Sequence, residues 1–408
     1  MARLKEIIFC VTNRCNLRCR MCDIPHNKTE ELSTDRLKQV ITDAARLGFY
    51  TFVFSGGEPL LRDDIFELIS HAKASHMTAC LTSNGHKIDD QVAGRLFEAG
   101  VDVVNISIDG PQQIHDHLRG KGAFKTAIEA LENLKKHKIE ATVATMVCRD
   151  NYENMPYIVE FSKLYGVTTI MFQPFSRLFV SDKSREKEFF INKKDLDNAA
   201  GIIEEVIERA GREHISINPE GYLRRIPSYL SGEPVGLRHG CEGIYDTCSI
   251  RSKGDIFPCW VINDSDKLIG NVGKTRLFDL WDSERHKRIK RMVEEGGCPG
   301  CMMSCYDEVF GPNEQKKTHL NKISKLKSPR AYSRLINRLI QDTRGIMAHI
   351  GNRYRFYRSY RGSLKAVFKR LVKRFQRSVL PKRSLGKGEI SKALQEIKIA
   401  KKRLEREL

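Results

Sequence analysis

The chain has 408 residues, 40% of them hydrophobic and 30% charged, which is an ordinary composition for a globular protein. Its first apolar run, residues 7–11, is too short for a secretion signal, and no later run reaches the length of a membrane span. We therefore expect a cytoplasmic protein, and in that compartment 12 cysteines indicate metal ligands before disulfides. The formal net charge is +19, yet residues 316–408 hold 28 Lys or Arg against 5 Asp or Glu, a local charge of +23 that leaves −4 for residues 1–315.

The first half of the chain alternates short β-branched runs with helical patterns, which predicts parallel strands joined by helices. The predicted strands are residues 6–12, 50–56, 77–83, 101–109, 139–147 and 167–175. Helical periodicity is clear in residues 34–48 and 125–138. The fold class is α/β, and six such units are too few for an eight-unit barrel, so a partial barrel and an open doubly wound sheet both remain.

Small and polar residues follow three of these strands, at the edge where ligands gather in α/β proteins. The sequence "SGGEP" ends the second strand, "TSNG" the third and "SIDG" the fourth. The glycines Gly56 and Gly57 would let a ligand approach the backbone, and Glu58 could accept hydrogen bonds from an ammonium group. Asn84 and the pair Ser107 and Asp109 suit hydroxyl groups. Each is also an ordinary turn residue, but their shared position favours a binding site.

Three cysteines with the spacing C-x3-C-x2-C follow the first strand, at Cys15, Cys19 and Cys22. Structural zinc sites are closed by four ligands. A four-iron four-sulfur cluster held by three cysteines instead leaves one iron open to a substrate or cofactor. The triplet therefore favours such a cluster.

"CNLRCRMC", followed by "GGEP", "TSNG" and "SIDG", resembles the radical S-adenosylmethionine (radical SAM) superfamily over residues 6 to about 215. The resemblance implies a partial (β/α)6 barrel in which Cys15, Cys19 and Cys22 bind the cluster and SAM chelates its open iron. Gly56, Gly57 and Glu58 would meet the methionyl end of SAM, with Asn84 and Asp109 on the same rim. It also implies reductive cleavage of SAM to a 5′-deoxyadenosyl radical, with an electron from reduced flavodoxin or a ferredoxin-type donor.

The run "SIDGPQQIHDHLRGKGAF" is similar to a stretch of sulfatase-maturing and peptide-modifying members. By that similarity Ser107 and Arg119 would contact SAM, although Arg119 could equally be a solvated charge at a helix end. The family often has an aromatic residue before the third cysteine, packed near adenine. This chain has Met21 there, whose thioether can fill the same space.

A second cysteine-rich segment spans residues 241–305 and by spacing alone predicts a closed site for zinc or an iron–sulfur cluster. Its G-x4-C element and terminal C-x2-C-x3-C resemble the SPASM or Twitch extension of radical SAM enzymes, which implies at least one auxiliary four-iron four-sulfur cluster. By correspondence its ligands would be Cys241, Cys248, Cys259 and Cys305. Cys298 and Cys301 would bind a second, incomplete cluster or substitute in the first.

Several residues depart from these patterns or remain outside them. Trp260 follows the cysteine of the G-x4-C element, where sulfatase maturases have an Asp base, which argues against the same alcohol or thiol oxidation. Cys10, Cys80 and Cys148 lie in apolar strand patterns, and we expect buried structural thiols.

The predicted domains are a barrel (1–217), an auxiliary cluster domain (218–312) and a basic helical extension (313–408). Within the extension, residues 332–380 contain cationic amphipathic patterns that favour peripheral binding to the anionic inner face of a membrane. RNA binding, suggested by "RYRFYRSYR", and a helix packed on the enzyme are the other interpretations. A membrane location would make a lipid-linked substrate the first hypothesis. A peptide-modifying maturase is the second, and a non-catalytic zinc and RNA-binding protein is the competing class.

Overall fold

The centre of the protein is a nine-stranded sheet whose first six strands are parallel. The structure is a computed structural model and describes residues 6–27, 30–176, 183–233, 244, 247–262, 264–297 and 301–303. The strands are β1 (Glu6–Thr12), β2 (Thr51–Gly56), β3 (Thr78–Ser83), β4 (Val103–Ser107), β5 (Glu140–Val147), β6 (Ile170–Pro174), β7 (Thr247–Ile250), β8 (Asp255–Phe257) and β9 (Gly270–Asn271). All six strands predicted for the first half are therefore confirmed.

The order of the strands decides between the two folds that the sequence left open. Across the sheet it is β6-β5-β4-β3-β2-β1-β7-β8-β9. A doubly wound sheet reverses direction at a switch point between its strands. Strands β1 to β6 instead follow one another in chain order, each parallel to the next. The fold is therefore of the partial-barrel type, and the C-terminal ends of all six strands lie at one edge.

Helices connect the strands and cover one face of the sheet. They are α1 (Thr34–Leu47), α2 (Ile65–Ala74), α3 (Asp90–Ala99), α4 (Gln112–Arg119), α5 (Ala123–Lys136), α6 (Met155–Tyr165), α7 (Lys183–Glu186), α8 (Leu196–Glu213), α9 (Glu220–Leu223), α10 (Ile226–Leu230), α11 (Leu277–Leu280) and α12 (Glu284–Met292). Local sequence explains their ends. Before α1, the Ser33 side chain accepts a hydrogen bond from the Arg36 amide, and Gly48 ends the helix at φ 92°.

The two faces of the sheet differ in character. The helix-covered face is apolar and fully buried, with the Phe52 ring 6.1 Å from Phe9 and 4.8 Å from Phe54 between centroids. Along β2, β3 and β4 the intervening residues are only half-buried. This half-buried side, called the inner face below, mixes apolar side chains with uncharged polar ones, the latter including Ser55, Thr82, Asn105, Ser107 and Gln173.

The cysteine-rich segment continues the sheet beyond β1. Strand β7 pairs parallel with β1, with Ile8 opposite Ser249, and β8 and β9 follow antiparallel. The helix after β9 is fastened to α1 by an ion pair between Arg276 and the fully buried Asp43. These contacts fix the segment to the β1 side of the partial barrel.

Every described residue belongs to one compact unit, Met1–Phe310. The sheet of this unit runs across the predicted domain boundary at residue 217. The basic extension, residues 313–408, lies outside the described residues, so the amphipathic patterns in residues 332–380 stay predictions. Within the part of the chain that the structure describes, no helix is long and apolar enough to cross a bilayer.

Candidate functional site

The three-cysteine loop leaves the sheet at the C-terminal end of β1, where a bulge shifts the pairing with β2 between Cys10 and Thr12. Cys15, Cys19 and Cys22 are all half-buried. Burial, and then the neighbouring Cys19 and Cys15 thiols, raise the pKa of the Cys22 thiol to about 11. Metal binding removes thiol protons and offsets such a shift. Three half-buried thiols that lie close enough to influence one another fit a shared metal cluster.

The glycine pair at the end of β2, Gly56 and Gly57, lies against the backbone of this loop. The Gly57 amide donates to the Thr12 carbonyl and the Glu58 amide to the Arg14 carbonyl, both at 2.8 Å. A Cβ atom at Gly56 would lie 2.3 Å from the Thr12 carbonyl oxygen, and one at Gly57 would lie 2.2 Å from that of Arg14. These distances are too short for any side chain. The glycines are therefore required by the backbone of the loop, in addition to the ligand approach predicted from the sequence.

Two side chains that the sequence did not single out hold the start of the loop. Arg62 is buried and donates to the Val11 carbonyl at 3.2 Å and to Glu31 Oε2 at 3.0 Å, while it pairs with both carboxylate oxygens of Asp64. Glu31 also accepts from Arg14 Nε at 2.9 Å. Partial burial raises the pKa of Glu31, but these hydrogen bonds outweigh it and the net pKa is lowered. The network thus joins the end of β1 to the turn after β2.

Glu58 is fully buried beneath the rim. Its carboxylate accepts hydrogen bonds from the Ser83 hydroxyl at 3.0 Å, the Asn84 amide at 2.9 Å and the Leu60 amide at 3.2 Å. Burial raises the pKa of Glu58 to about 7 despite these donors. The Asn84 side chain lies 3.8 Å from the Cys15 sulfur. Glu58 therefore ties the end of β3 to the end of β2, next to the first cysteine.

Asp109 and Arg119 form a buried ion pair at the end of β4. Arg119 Nε lies 2.5 Å from Asp109 Oδ2, with the Arg119 side chain 14% exposed and that of Asp109 fully buried. Burial opposes the charge of Arg119, but Asp109 and then the Cys19 thiol raise its pKa above the usual range. The interpretation of Arg119 as a solvated charge is therefore wrong. Ser107 lies half-buried on the inner face, two residues before Asp109.

The outer side of the loop is fastened by a second set of contacts. The Arg20 amide donates to the Leu118 carbonyl at 2.9 Å, at the end of α4. Its guanidinium pairs with Asp150 at 3.3 Å and with Glu188 at 3.0 Å. Both pairs are partly exposed and individually weak. Together with the backbone bond, they connect the loop to three separate parts of the barrel.

The second cysteine group is described in part. Cys248 is fully buried in β7, in register with Ile7 on the helix-covered face, and burial raises the pKa of its thiol above the usual range. Cys259 is also buried, and Cys301 is half-buried. Cys241, Cys298 and Cys305 lie outside the described residues. Among the residues that are described, the three cysteines of the loop included, no group of three or more His, Cys, Asp or Glu side chains is placed to hold a single metal ion. A four-iron cluster makes a different demand, because each of its cysteines binds a different iron.

The residues that depart from the family pattern are placed as follows. Trp260 is buried, and the Arg251 guanidinium lies 4.4 Å above its ring. Met21 is buried, which its thioether must be if it fills an apolar space. Cys10 and Cys148 are buried as predicted, and burial raises the pKa of each thiol to about 12. Cys80 is only half-buried because the strand alternation places it on the inner face.

Comparison with protein families gives two matches. A model described as the radical SAM superfamily matches residues 9–162, the part that contains the three-cysteine loop and the C-terminal ends of β1 to β5. A model described as an iron-sulfur cluster-binding domain, SPASM, matches residues 241–306, which contain all six cysteines of the second group. The two matches cover both candidate cluster sites.

Similar proteins extend over most of the chain. The mycofactocin maturase MftC of Mycolicibacterium smegmatis is 34% identical over 297 residues, which are 71% of this chain and 74% of that protein. The AdoMet-dependent heme synthase of Oleidesulfovibrio alaskensis is 29% identical over 310 residues, 71% of this chain and 78% of that protein. Streptococcus suis SuiB bound to S-adenosylmethionine is a structural neighbour with a TM-score of 0.59 and 16% sequence identity. The alignment covers 74% of this chain and 72% of the SuiB chain, and this similarity shows the fold alone.

Proposed function

This chain belongs to the radical SAM superfamily and carries a SPASM domain, and from that premise we propose that it removes a hydrogen atom from a carbon of a substrate held on the inner face. Its cofactors are four-iron four-sulfur clusters and SAM. Together these supply a 5′-deoxyadenosyl radical, while the protein supplies binding, orientation and exclusion of water. The observation that supports the proposal is the group of three half-buried thiols at the strand ends, between Glu58 and Arg119.

The residues of the rim divide into holders of the cluster and holders of SAM. Cys15, Cys19 and Cys22 would bind three irons and leave the fourth for SAM. Gly56 and Gly57 keep the loop close to β2, and the methionyl end of SAM would lie near this backbone. Glu58, which is fully buried, would orient Asn84 toward the ammonium group through the Asn84 amide, whereas Ser107 and Arg119, the latter oriented by Asp109, would face the carboxylate. These contacts with SAM are proposals from the family resemblance, and the buried ion pair supports the one with Arg119.

For the auxiliary site, the placement of the described cysteines supports a revised set of ligands. Cys248 lies within β7, in register with Ile7 on the helix-covered face, and burial alone shifts the pKa of its thiol, which supports a structural thiol and not a ligand. Cys259 and Cys301 are ligands in this proposal. Cys241, Cys298 and Cys305, which match the SPASM pattern in the sequence, complete the set. These five could serve one complete cluster or a complete and an incomplete one.

The substrate class is proposed in two forms. Residues 364–379 alternate Leu, Val and Phe with Lys and Arg at helical spacing, which supports peripheral binding to anionic lipid and a lipid-linked or membrane-proximal substrate. Liposome sedimentation tests this, since Phe368→Glu with Phe375→Glu should abolish binding. Unchanged binding would remove the membrane proposal and favour RNA or a packed helix for the extension.

A peptide substrate is the second form, because the similarity to a mycofactocin maturase extends over 74% of that protein. Trp260 in place of an Asp base argues against oxidation of the sulfatase-maturase kind. The two forms are separated by incubating the enzyme with lipid extract and with candidate precursor peptides. Deuterium transfer from substrate to 5′-deoxyadenosine would identify the true hydrogen donor. A tetrapyrrole is included as a third sample because of the heme synthase relatives.

The first experiment is anaerobic iron and sulfide analysis, then reduction with dithionite in the presence of SAM and assay for 5′-deoxyadenosine. We expect about eight irons per chain, falling to about four in a Cys15→Ala/Cys19→Ala/Cys22→Ala variant. Only the parent should form 5′-deoxyadenosine. Zinc without iron, or no cleavage of SAM by the reconstituted parent, would refute the proposal. Reduced flavodoxin or ferredoxin should then replace dithionite, in keeping with the cytoplasmic location that we propose.

A further inference from the structure

The backbone next to Cys301 is held by two side chains of the barrel, and we propose that Gln173 and Tyr222 are positioning residues for the auxiliary cluster. Gln173 Nε2 donates to the Met302 carbonyl oxygen at 2.6 Å, and the Tyr222 hydroxyl donates to the same oxygen at 2.7 Å. Met302 directly follows Cys301. The proposal rests on the ligand role of Cys301 within the proposed function.

The convergence of two donors on one carbonyl is specific. A carbonyl oxygen has two lone pairs, and here both accept from protein side chains. Tyr222 is fully buried and Met302 is almost so, and in such surroundings hydrogen bonds are strong and costly to lose. Residues 301–303 belong to no helix or strand. No backbone ladder fixes their position, which depends on these two donors and on packing of the Met302 side chain in the core.

The two donors come from distant parts of the chain. Gln173 is the penultimate residue of β6 and faces the same side as Met146 of β5, on the inner face. Tyr222 lies in α9, which follows β6 later in the chain. Cys301, the proposed cluster ligand next to Met302, is thus connected through Gln173 to the inner face, where the substrate is proposed to bind. This arrangement would set the distance from the auxiliary cluster to the substrate through the barrel itself.

The test uses the Cys15→Ala/Cys19→Ala/Cys22→Ala variant as background, because any iron it retains belongs to the auxiliary site. Into this background we introduce Tyr222→Phe, which removes only the hydroxyl, and separately Gln173→Leu. The readouts are the rate at which a chelator removes iron, the electron paramagnetic resonance spectrum of the reduced protein and its midpoint potential. Hydrogen bonds and solvent access around a cluster set its potential, so displacement of a ligand should alter it.

Tyr152→Phe is the matched control. Tyr152 is also a buried residue, and its partly buried hydroxyl donates to Glu153 Oε1 and accepts from the Asn198 side chain, both at 3.1 Å, but makes no hydrogen bond to residue 302. Both phenylalanine variants lose one hydroxyl, so an effect of hydroxyl loss in general should appear in both.

We expect Tyr222→Phe and Gln173→Leu to release iron roughly fivefold faster than the background, the factor that one lost hydrogen bond implies. Their spectra and potentials should shift, whereas those of Tyr152→Phe should not. Iron release and potentials equal to the background in both variants would overturn the inference while leaving the proposed function intact. A background variant without iron would overturn the auxiliary cluster as well. If Tyr222→Phe fails to fold, Gln173→Leu decides between the outcomes.

Discussion

The buried pair of Asp109 and Arg119 leads to the most quantitative prediction. Asp109→Asn removes the negative charge but keeps the size of the side chain, and Arg119 is left 14% exposed beside a neutral amide. Removing one partner of a buried ion pair costs about 3–5 kcal/mol, because the other charge stays desolvated. That is a large share of the ~5–15 kcal/mol that stabilises a typical protein. At about 2 °C per kcal/mol for a chain of this size, Tm should fall by about 6–10 °C.

The assay is a double-mutant cycle on anaerobically purified protein, with Tm measured by the loss of circular dichroism. Arg119→Gln should cost a similar amount, since it leaves the fully buried Asp109 carboxylate without its cation. The double variant removes both charges, so its loss should be clearly smaller than the sum of the two single losses. Additive losses would mean that the two charges do not stabilise each other and would refute the reasoning. Binding of SAM to each variant then reports separately on the role of Arg119 as a ligand-facing cation.

Three further predictions follow from the same contacts. Gly57→Ala should abolish incorporation of iron at the three-cysteine loop, because the new Cβ would lie 2.2 Å from the Arg14 carbonyl oxygen. Gly201→Ala, where the new Cβ has open space, should retain iron. Equal iron content in the two variants would contradict this prediction. Burial raises the pKa of Glu58 from 4.5 to about 7. Its protonated form therefore stabilises the metal-free fold, and this contribution is lost as pH rises from about 4.5 to about 7. In Glu58→Gln that pH dependence of Tm should disappear, and its persistence would assign it to another group. The last prediction uses the Cys15→Ala/Cys19→Ala/Cys22→Ala background, whose remaining iron belongs to the auxiliary site. Iron analysis should show that adding Cys248→Ala leaves this iron in place, whereas adding Cys259→Ala removes it. The reverse result would restore Cys248 as a ligand.

Local patterns in the sequence were sufficient for the strands and for the cysteine loop. Each strand is a β-branched run, and its C-terminal end is marked by residues such as Glu58 or Asp109, so alternation and chain order place them at one edge. The burial of individual strand residues was harder to predict. Cys80 lies in a run as apolar as that of Cys10, yet one is half-buried and the other buried. The strand register puts both thiols on the inner face, but Cys10 is covered by the chain after β1, where its sulfur lies 3.4 Å from the Thr12 carbonyl oxygen and 3.2 Å from Asn13 Oδ1. Single strands do not reveal such cover.

Contacts between distant residues were not predictable from the sequence. Nothing in the local sequence distinguishes Glu31 or Arg62 from other charged residues. Their structural role arises because Glu31 contacts Thr12 and Arg62 contacts Val11 at the end of β1. The pairing of β7 with β1 is of the same kind, since no signal in residues 247–250 specifies which edge they join. Such contacts depend on the assembled tertiary structure, and a single sequence considered by itself contains no record of which pairs meet.

These long-range contacts share one physical consequence. The cysteine loop is held by backbone bonds to the end of β2, by Arg62 at its start and by Arg20 on its outer side, and the chain next to Cys301 is held by Gln173 and Tyr222. A reactive radical has little chemical selectivity among carbon–hydrogen bonds, so the choice of bond depends on position. Because both cluster sites are attached to the same set of strands, their positions relative to each other and to the inner face stay constant. Under the proposed function, the inner face and the paired charges at its rim would serve one requirement, which is to hold the substrate at a set distance from the cluster.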